Sequence, residues 1–234
     1  MKLLAFETAT EACSVAVWDD GRVLERFELA PRRHAELALP WADALLAQAG
    51  IARAQLDAVA VGRGPGAFTG VRLAIGLAQG IALGLDLPVL PVSTLAALAL
   101  RAPDDGRPIL AAIDARMGEV YAAAFGRDGA GVRPLSAERV AVPDAVELPG
   151  GDERWDGVGT GFAALDGALQ ARLRPRLAHI DPAALPHAAD VARLAAIAFA
   201  AGQAVAPERV EPAYLRDNVA LTLEQQQALR AARG

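Results

Sequence analysis

The stretch Leu3–Gly21, LLAFETATEACSVAVWDDG, decides the fold. Leu3 to Phe6 is apolar and reads as a strand ending in an acid, Glu7. A Thr/Glu/Ala turn follows, and Ser14 to Trp18 returns as a second strand. Asp20-Gly21 is a hairpin signal leading into a third strand, Arg22 to Leu29. The pattern comes back at Ile109–Phe125, ILAAIDARMGEVYAAAF: a strand to Ile113, an acid at Asp114, a turn to Gly118, and a return strand from Glu119. Two such cycles suggest an internally duplicated, two-lobed α/β protein. Pattern alone equally allows two unrelated hairpins.

Between the cycles, His34 to Gln48 reads as a helix, with Leu37, Trp41 and Leu45 at i+4 spacing and Gly50 as its stop. Pro40 should kink it or mark its first turn. Leu56 to Val61 is a buried strand running into Gly62-Arg63-Gly64-Pro65-Gly66. Thr69 is placed to cap a helix from Gly70 to Leu85. Val89 to Val92 is a further strand, and Ser93 reads as a cap of the short helix after it. A Pro/Asp/Gly linker, Ala102–Pro108, divides a lobe at 1–103 from one at 108–234, the last helix being free to return to the first lobe. Late in the chain, Trp155 to Gly161 is strand-like, and Ala-rich helices are expected at Phe162–Leu173 and Asp190–Ala204.

Hydrophobic residues make up 53% of the 234 against 22% charged, which excludes disordered and fibrous classes. The net charge is −5, and Lys2 is the only lysine among 23 basic residues. Such a chain lacks the overall basic field of a protein that grips nucleic acid alone, so any RNA is expected to be held mainly by something else. With Cys13 the only cysteine, no internal disulfide forms and a reducing, cytoplasmic setting is expected. Leu73–Leu85 is the longest uncharged apolar run and, at 13 residues, too short to span a bilayer, so no membrane association is expected.

Several chemistries are disfavoured. His34, His179 and His187 include no i, i+4 pair, and with one cysteine a metal site is not expected. Ser93 has Pro91 and Leu95 where a nucleophile elbow needs glycines. The 62–70 loop fits neither glycine register of a dinucleotide fingerprint nor the Gly-Lys-Ser/Thr of a triphosphate loop. An acid with hydroxyls, Glu7, Thr8 and Thr10, and the acid Asp114 in the second cycle form a possible vestigial nucleotide cleft. The hairpin turn lacks the glycine that actin-like kinases place there.

The helix after the loop carries the strongest signal. Gly76, Gly80 and Gly84 recur every four residues, beside parallel rows of Ala74, Ala78, Ala82 and of Leu73, Leu77, Ile81, Leu85. Each interior glycine costs about 1 kcal/mol relative to alanine, which close backbone approach must offset. A helix apolar all round needs cover on more than one side. The second cover is either another helix of this chain, such as His34–Gln48, or a partner.

The segments Phe6–Thr10, His34–Glu36 with Leu39-Pro40, and Gly62–Arg72 (GRGPGAFTGVR) resemble the TsaB family. So do Val92–Leu95, Asp114–Tyr121 and Pro212–Arg216. TsaB is a subunit of the bacterial machinery that makes threonylcarbamoyladenosine in tRNA. The resemblance implies a duplicated, two-lobed, actin-like fold and a subunit with no catalytic residues, metal or cofactor of its own. It implies pairing with the catalytic relative TsaD, engagement of the ATPase TsaE, and a homodimer when alone, with metal and nucleotide on the partner subunits. TsaD's metal-binding His-x-x-x-His falls on Thr94 and Leu98 here. The resemblance places the partner interface on the first two helices, giving Leu37, Trp41, Leu45, Arg72, Leu73, Gly76, Leu77, Gly80 and Gly84 as its residues. An actin-like small-molecule kinase and a glycoprotease-type peptidase are the competing readings.

Overall fold

The computed structural model describes residues 1–216. The first cycle forms β1 (Lys2–Glu7), β2 (Ala12–Asp19) and β3 (Arg22–Leu29), an antiparallel meander whose β2–β3 turn puts Asp20 and Gly21 at positive φ. Then come α1 (His34–Ala49), β4 (Ala58–Gly62), α2 (Phe68–Leu85), β5 (Val89–Val92) and α3 (Thr94–Ala99). The second cycle supplies β6 (Ile109–Arg116), β7 (Glu119–Asp128), β8 (Gly131–Pro134) and β9 (Arg139–Ala141). It continues through β10 (Trp155–Val158), α4 (Ala164–Leu173) and β11 (Leu177–Asp181) to α5 (Ala188–Ala200).

The sheets repeat one another. The first runs β3-β2-β1-β4-β5 and the second β8-β7-β6-β10-β11, each with an antiparallel meander on one side and two parallel strands on the other. β9 adds to β7 at the far end. Two hairpins alone would not reproduce the order and direction of five strands, so the chain is a duplicated, two-lobed α/β protein.

Its core is layered. α1 and α2 cover one face of the first sheet through Ala38, Ala42, Leu45, Ala74 and Ala78 against Leu4, Phe6, Val59 and Val61. On the other face α5 packs Ala188, Val191, Ala192 and Ala195 against Leu3, Ala5, Ala58 and Ala60. This helix, late in the chain, therefore joins the first sheet. α3 sits between the lobes, with Ala97 toward the first sheet and Leu95 and Leu98 toward Ile109, Ala111 and Ile113 of the second. α4 closes the outer face of the second sheet with Leu169 and Leu173. The parallel strand β4 is buried on both faces and is apolar throughout, as such strands are.

Four local expectations are corrected. Pro40 lies within α1, which begins at His34, so it does not mark the first turn. Thr69 does not cap α2: the N-cap is Ala67, with no side-chain bond. The expected helix from Phe162 begins at Ala164, after a tight turn at Thr160–Phe162, and is interrupted by a left-handed break at Leu165–Gly167. α2 is 18 residues long with mean hydropathy 1.5, so by length and composition it is comparable to a membrane span, although its alanine row is buried on the sheet. Ser93 does cap α3, accepting from the Ala96 N–H at 3.1 Å.

Candidate functional site

At the C-terminal end of β1, Glu7 follows the parity of Leu3 and Ala5 and so points to the middle layer, where α3 begins. It is 1% exposed. Its Oε1 accepts the Ala9 N–H at 2.7 Å, and its Oε2 accepts the Thr94 hydroxyl at 2.9 Å. Burial outweighs these bonds and pushes its carboxyl up to about 7. Thr8 is also buried, donating to the Gly70 carbonyl at 2.7 Å. Glycines make this packing possible. A Cβ on Gly62 would lie 2.0 Å from Glu7 Oε2, on Gly66 2.4 Å from the Ala9 carbonyl, and on Gly70 1.9 Å from the Thr8 carbonyl. The 62–70 loop is thus clamped on the first hairpin turn. Thr94 and Leu98 are buried core residues, and Thr94 serves Glu7.

Between the lobes lies a cleft of about 660 Å³. Thr10 and Asp114 line it; Glu7 and Thr8 do not. The expected pairing of Glu7 with Asp114 across one cleft is therefore corrected. Asp114 shares its face with Leu110 and Ala112, toward the outer layer, whereas Glu7 points inward. Asp114 instead accepts from the Arg116 backbone at 2.8 Å and pairs with the Arg116 guanidinium at 2.9 Å. The segment 207–216 runs along α2 as a strap, and its end, Pro212 to Arg216, walls the cleft. Gln79, the lone polar residue of the apolar run, donates to the Pro207 carbonyl at 2.9 Å, and the Ala213 N–H donates to the Arg63 carbonyl at 2.9 Å. Arg72 donates to the Tyr214 hydroxyl and lies over the Phe68 ring, 3.2 Å from its centroid. Arg216 crosses to the second lobe, 2.6 Å from Glu119. Glu138 ties the lobes again, accepting from Arg63 and Ser93.

The third element of the site is the outer face of α2. The three rows seen in the sequence face different ways: alanines against the sheet, leucines and Ile81 half-buried on the flank, glycines outward. A Cβ on Gly76, Gly80 or Gly84 would meet nothing within 4 Å. Packing of this row against α1 is therefore overturned; Gly80 and Gly84 border an open groove of about 330 Å³ between the two helices. Leu37 and Trp41 of α1 and Leu73 and Leu77 of α2 are partly buried but do not line this groove, which Leu39, Asp43 and Ile81 border instead. Two expected interface residues lie elsewhere. Leu45 is 1% exposed and belongs to the core, and Arg72, though it begins the glycine row, is drawn into the cleft by Phe68 and Tyr214. Sequence reasoning missed Leu83, 64% exposed next to Gly84, and Leu39, 45% exposed on α1. Both fall outside the i+4 rows, and that was the available signal.

The family model described as TsaD, tRNA N6-adenosine threonylcarbamoyltransferase, matches residues 27–223. Among curated relatives, the Escherichia coli tRNA threonylcarbamoyladenosine biosynthesis protein TsaB is 45% identical, covering 94% of this chain and 96% of its own. The Haemophilus influenzae protein of the same name is 39% identical, over 94% and 95%. YeaZ from Pseudomonas aeruginosa superposes with a TM-score of 0.82 at 44% identity, covering 92% of this chain and 99% of that structure. With a duplicated two-lobed fold and similarity over nearly the full length, the chain belongs to the TsaB family, within the wider group that the TsaD model describes.

Proposed function

We propose that this chain is the non-catalytic subunit of a threonylcarbamoyladenosine-forming assembly. It supports a TsaD-type partner that transfers threonylcarbamoyl from its adenylate to the exocyclic nitrogen of the adenosine beside the anticodon. The observation that carries the reading is the glycine row of α2, open to solvent at Gly76, Gly80 and Gly84 in a chain whose relatives are named for this modification. Three unfilled helical glycines cost roughly 3 kcal/mol, which intersubunit contact offsets. The interface comprises Leu37, Trp41, Leu73, Leu77 and the three glycines, with Leu39 and Leu83 added. The same face closes a homodimer when the partner is missing, and the assembled pair receives TsaE. Metal and nucleotide reside on the partner subunits, and the assembly works in the cytoplasm.

The kinase reading loses its footing at the first hairpin, where the Ala9 N–H that would hold a phosphate is already bonded to Glu7. A calorimetric titration of the isolated chain with Mg-ATP is expected to show no saturable heat. The test of the main reading is reconstituted tRNA modification by the partner subunits with and without this chain. Modification that proceeds equally in its absence would refute the reading.

A further inference from the structure

The mouth of the cleft is chemically unlike the rest of this acidic chain. Arg32, Arg72, Arg116 and Arg216 line it against two carboxylates, Glu11 and Asp114, in a protein of net charge −5. Arg216 is held by Glu119 and Arg116 by Asp114 at 2.9 Å, though the Arg116 side chain is 82% exposed and its pairing is open to water, while Arg32 is exposed with no hydrogen-bond or ion-pair partner among the described residues. Large apolar side chains stand out at the same mouth: Phe68 is 65% exposed, Tyr214 59%, and Met117, in contact with Arg216, 83%. Phe68 and Arg72 come from the first lobe, Arg116 from the second, and Tyr214 from the strap.

We propose that this mouth binds an unpaired RNA strand directly, one base stacking on Phe68 while Arg32 and Arg116 meet flanking phosphates. Exposed rings interleaved with arginines are the combination that single strands use, because every base has a face to stack and every linkage a charge. A cleft of about 660 Å³ takes a small molecule or an extruded nucleotide, not a double helix. A free nucleotide fits less well, since the cationic and aromatic groups lie at the surface and the Ala9 amide is occupied. An acidic peptide would leave the rings without a planar partner. The inference rests on the proposed function for the identity of the strand as RNA.

The test is fluorescence anisotropy of the full chain with a labelled single-stranded RNA of about ten nucleotides, at ~50 mM salt and above. Competitors are the matching duplex, AMP and polyglutamate. Saturable binding to the single strand is expected, with Phe68→Ala weakening it about tenfold. Arg32→Ala is expected to reduce the slope of log affinity against log salt by about 0.7, the loss of one phosphate contact. Both side chains are exposed, so unchanged thermal melting of the variants is expected and serves as the control for folding. The proposal is overturned by a Kd weaker than ~1 mM at low salt, by duplex or polyglutamate binding as tightly, by AMP displacing the strand at equal affinity, or by variants without effect. A chain that supports modification but fails these measurements loses this inference and keeps the proposed function. Modification independent of the chain removes the function whatever the RNA result.

Discussion

Two glycine rows of equal spacing sit side by side in this chain and serve opposite ends. Gly62, Gly66 and Gly70 each face an atom within 2.4 Å of where a Cβ would stand: a carboxylate oxygen or a backbone carbonyl of the first hairpin turn. Gly76, Gly80 and Gly84 face nothing within 4 Å. In the first row glycine is required by the folded monomer. In the second no described residue asks for it, and the requirement is the one the proposed intersubunit contact would supply. A repeat of small residues thus says that something approaches closely, but only the structure says whether that something is already present.

The sharpest break of this comparison is Gly70→Ala. The obstructing atom is the Thr8 carbonyl, which cannot swing away as a side-chain end would, so a loss of about 3 kcal/mol or more is expected in denaturant unfolding, at the top of the overpacking range. A neutral variant would remove the clamp from the account. Next in size is the pH dependence of Glu7, the carboxylate under Gly62. Its folded value of about 7 lies above its ordinary 4.5, so the folded state holds the proton more tightly. Stability should therefore be greatest at the acid end of this window and fall as pH rises from about 4.5 to about 7, by on the order of 3 kcal/mol. Glu7→Gln should flatten that window and unfold later than the parent at pH ~8. The smallest effect belongs to the open row. Gly80→Ala should raise the stability of the monomer by up to about 1 kcal/mol, and Leu83→Ala should leave it within about 0.5 kcal/mol, both read from thermal melts at a concentration low enough to keep the chain monomeric.

Much of the fold could be read from alternation and turn chemistry. The Asp20-Gly21 hairpin, the second cycle at Ile109–Phe125 and the Ser93 cap all follow from local rules, and the structure has each. That α2 carries three distinct rows was equally legible; which of them meets the sheet was not. Side-chain direction at strand ends was readable but misread: counting by twos from Leu3 places Glu7 inward, away from the cleft. The stripe Leu37, Trp41, Leu45 shows the limit of periodicity, because an apolar i+4 row does not distinguish the sheet below from a partner above. Leu45 went to the sheet. The short strands β8, β9 and β11 carry weak patterns and form because β7 and β10 offer unpaired edges. The Arg72–Tyr214 contact joins residues 142 apart in the chain, and no local rule reaches that far.

Whether the open glycine row is a subunit interface is decided by Gly80→Leu, titrating the TsaD-type partner with parent and variant while following the melting of the variant monomer. The variant monomer is expected to be as stable as the parent or slightly more so, with partner affinity reduced by roughly ten- to hundred-fold. A well-folded variant that binds the partner as tightly as the parent would contradict the interface.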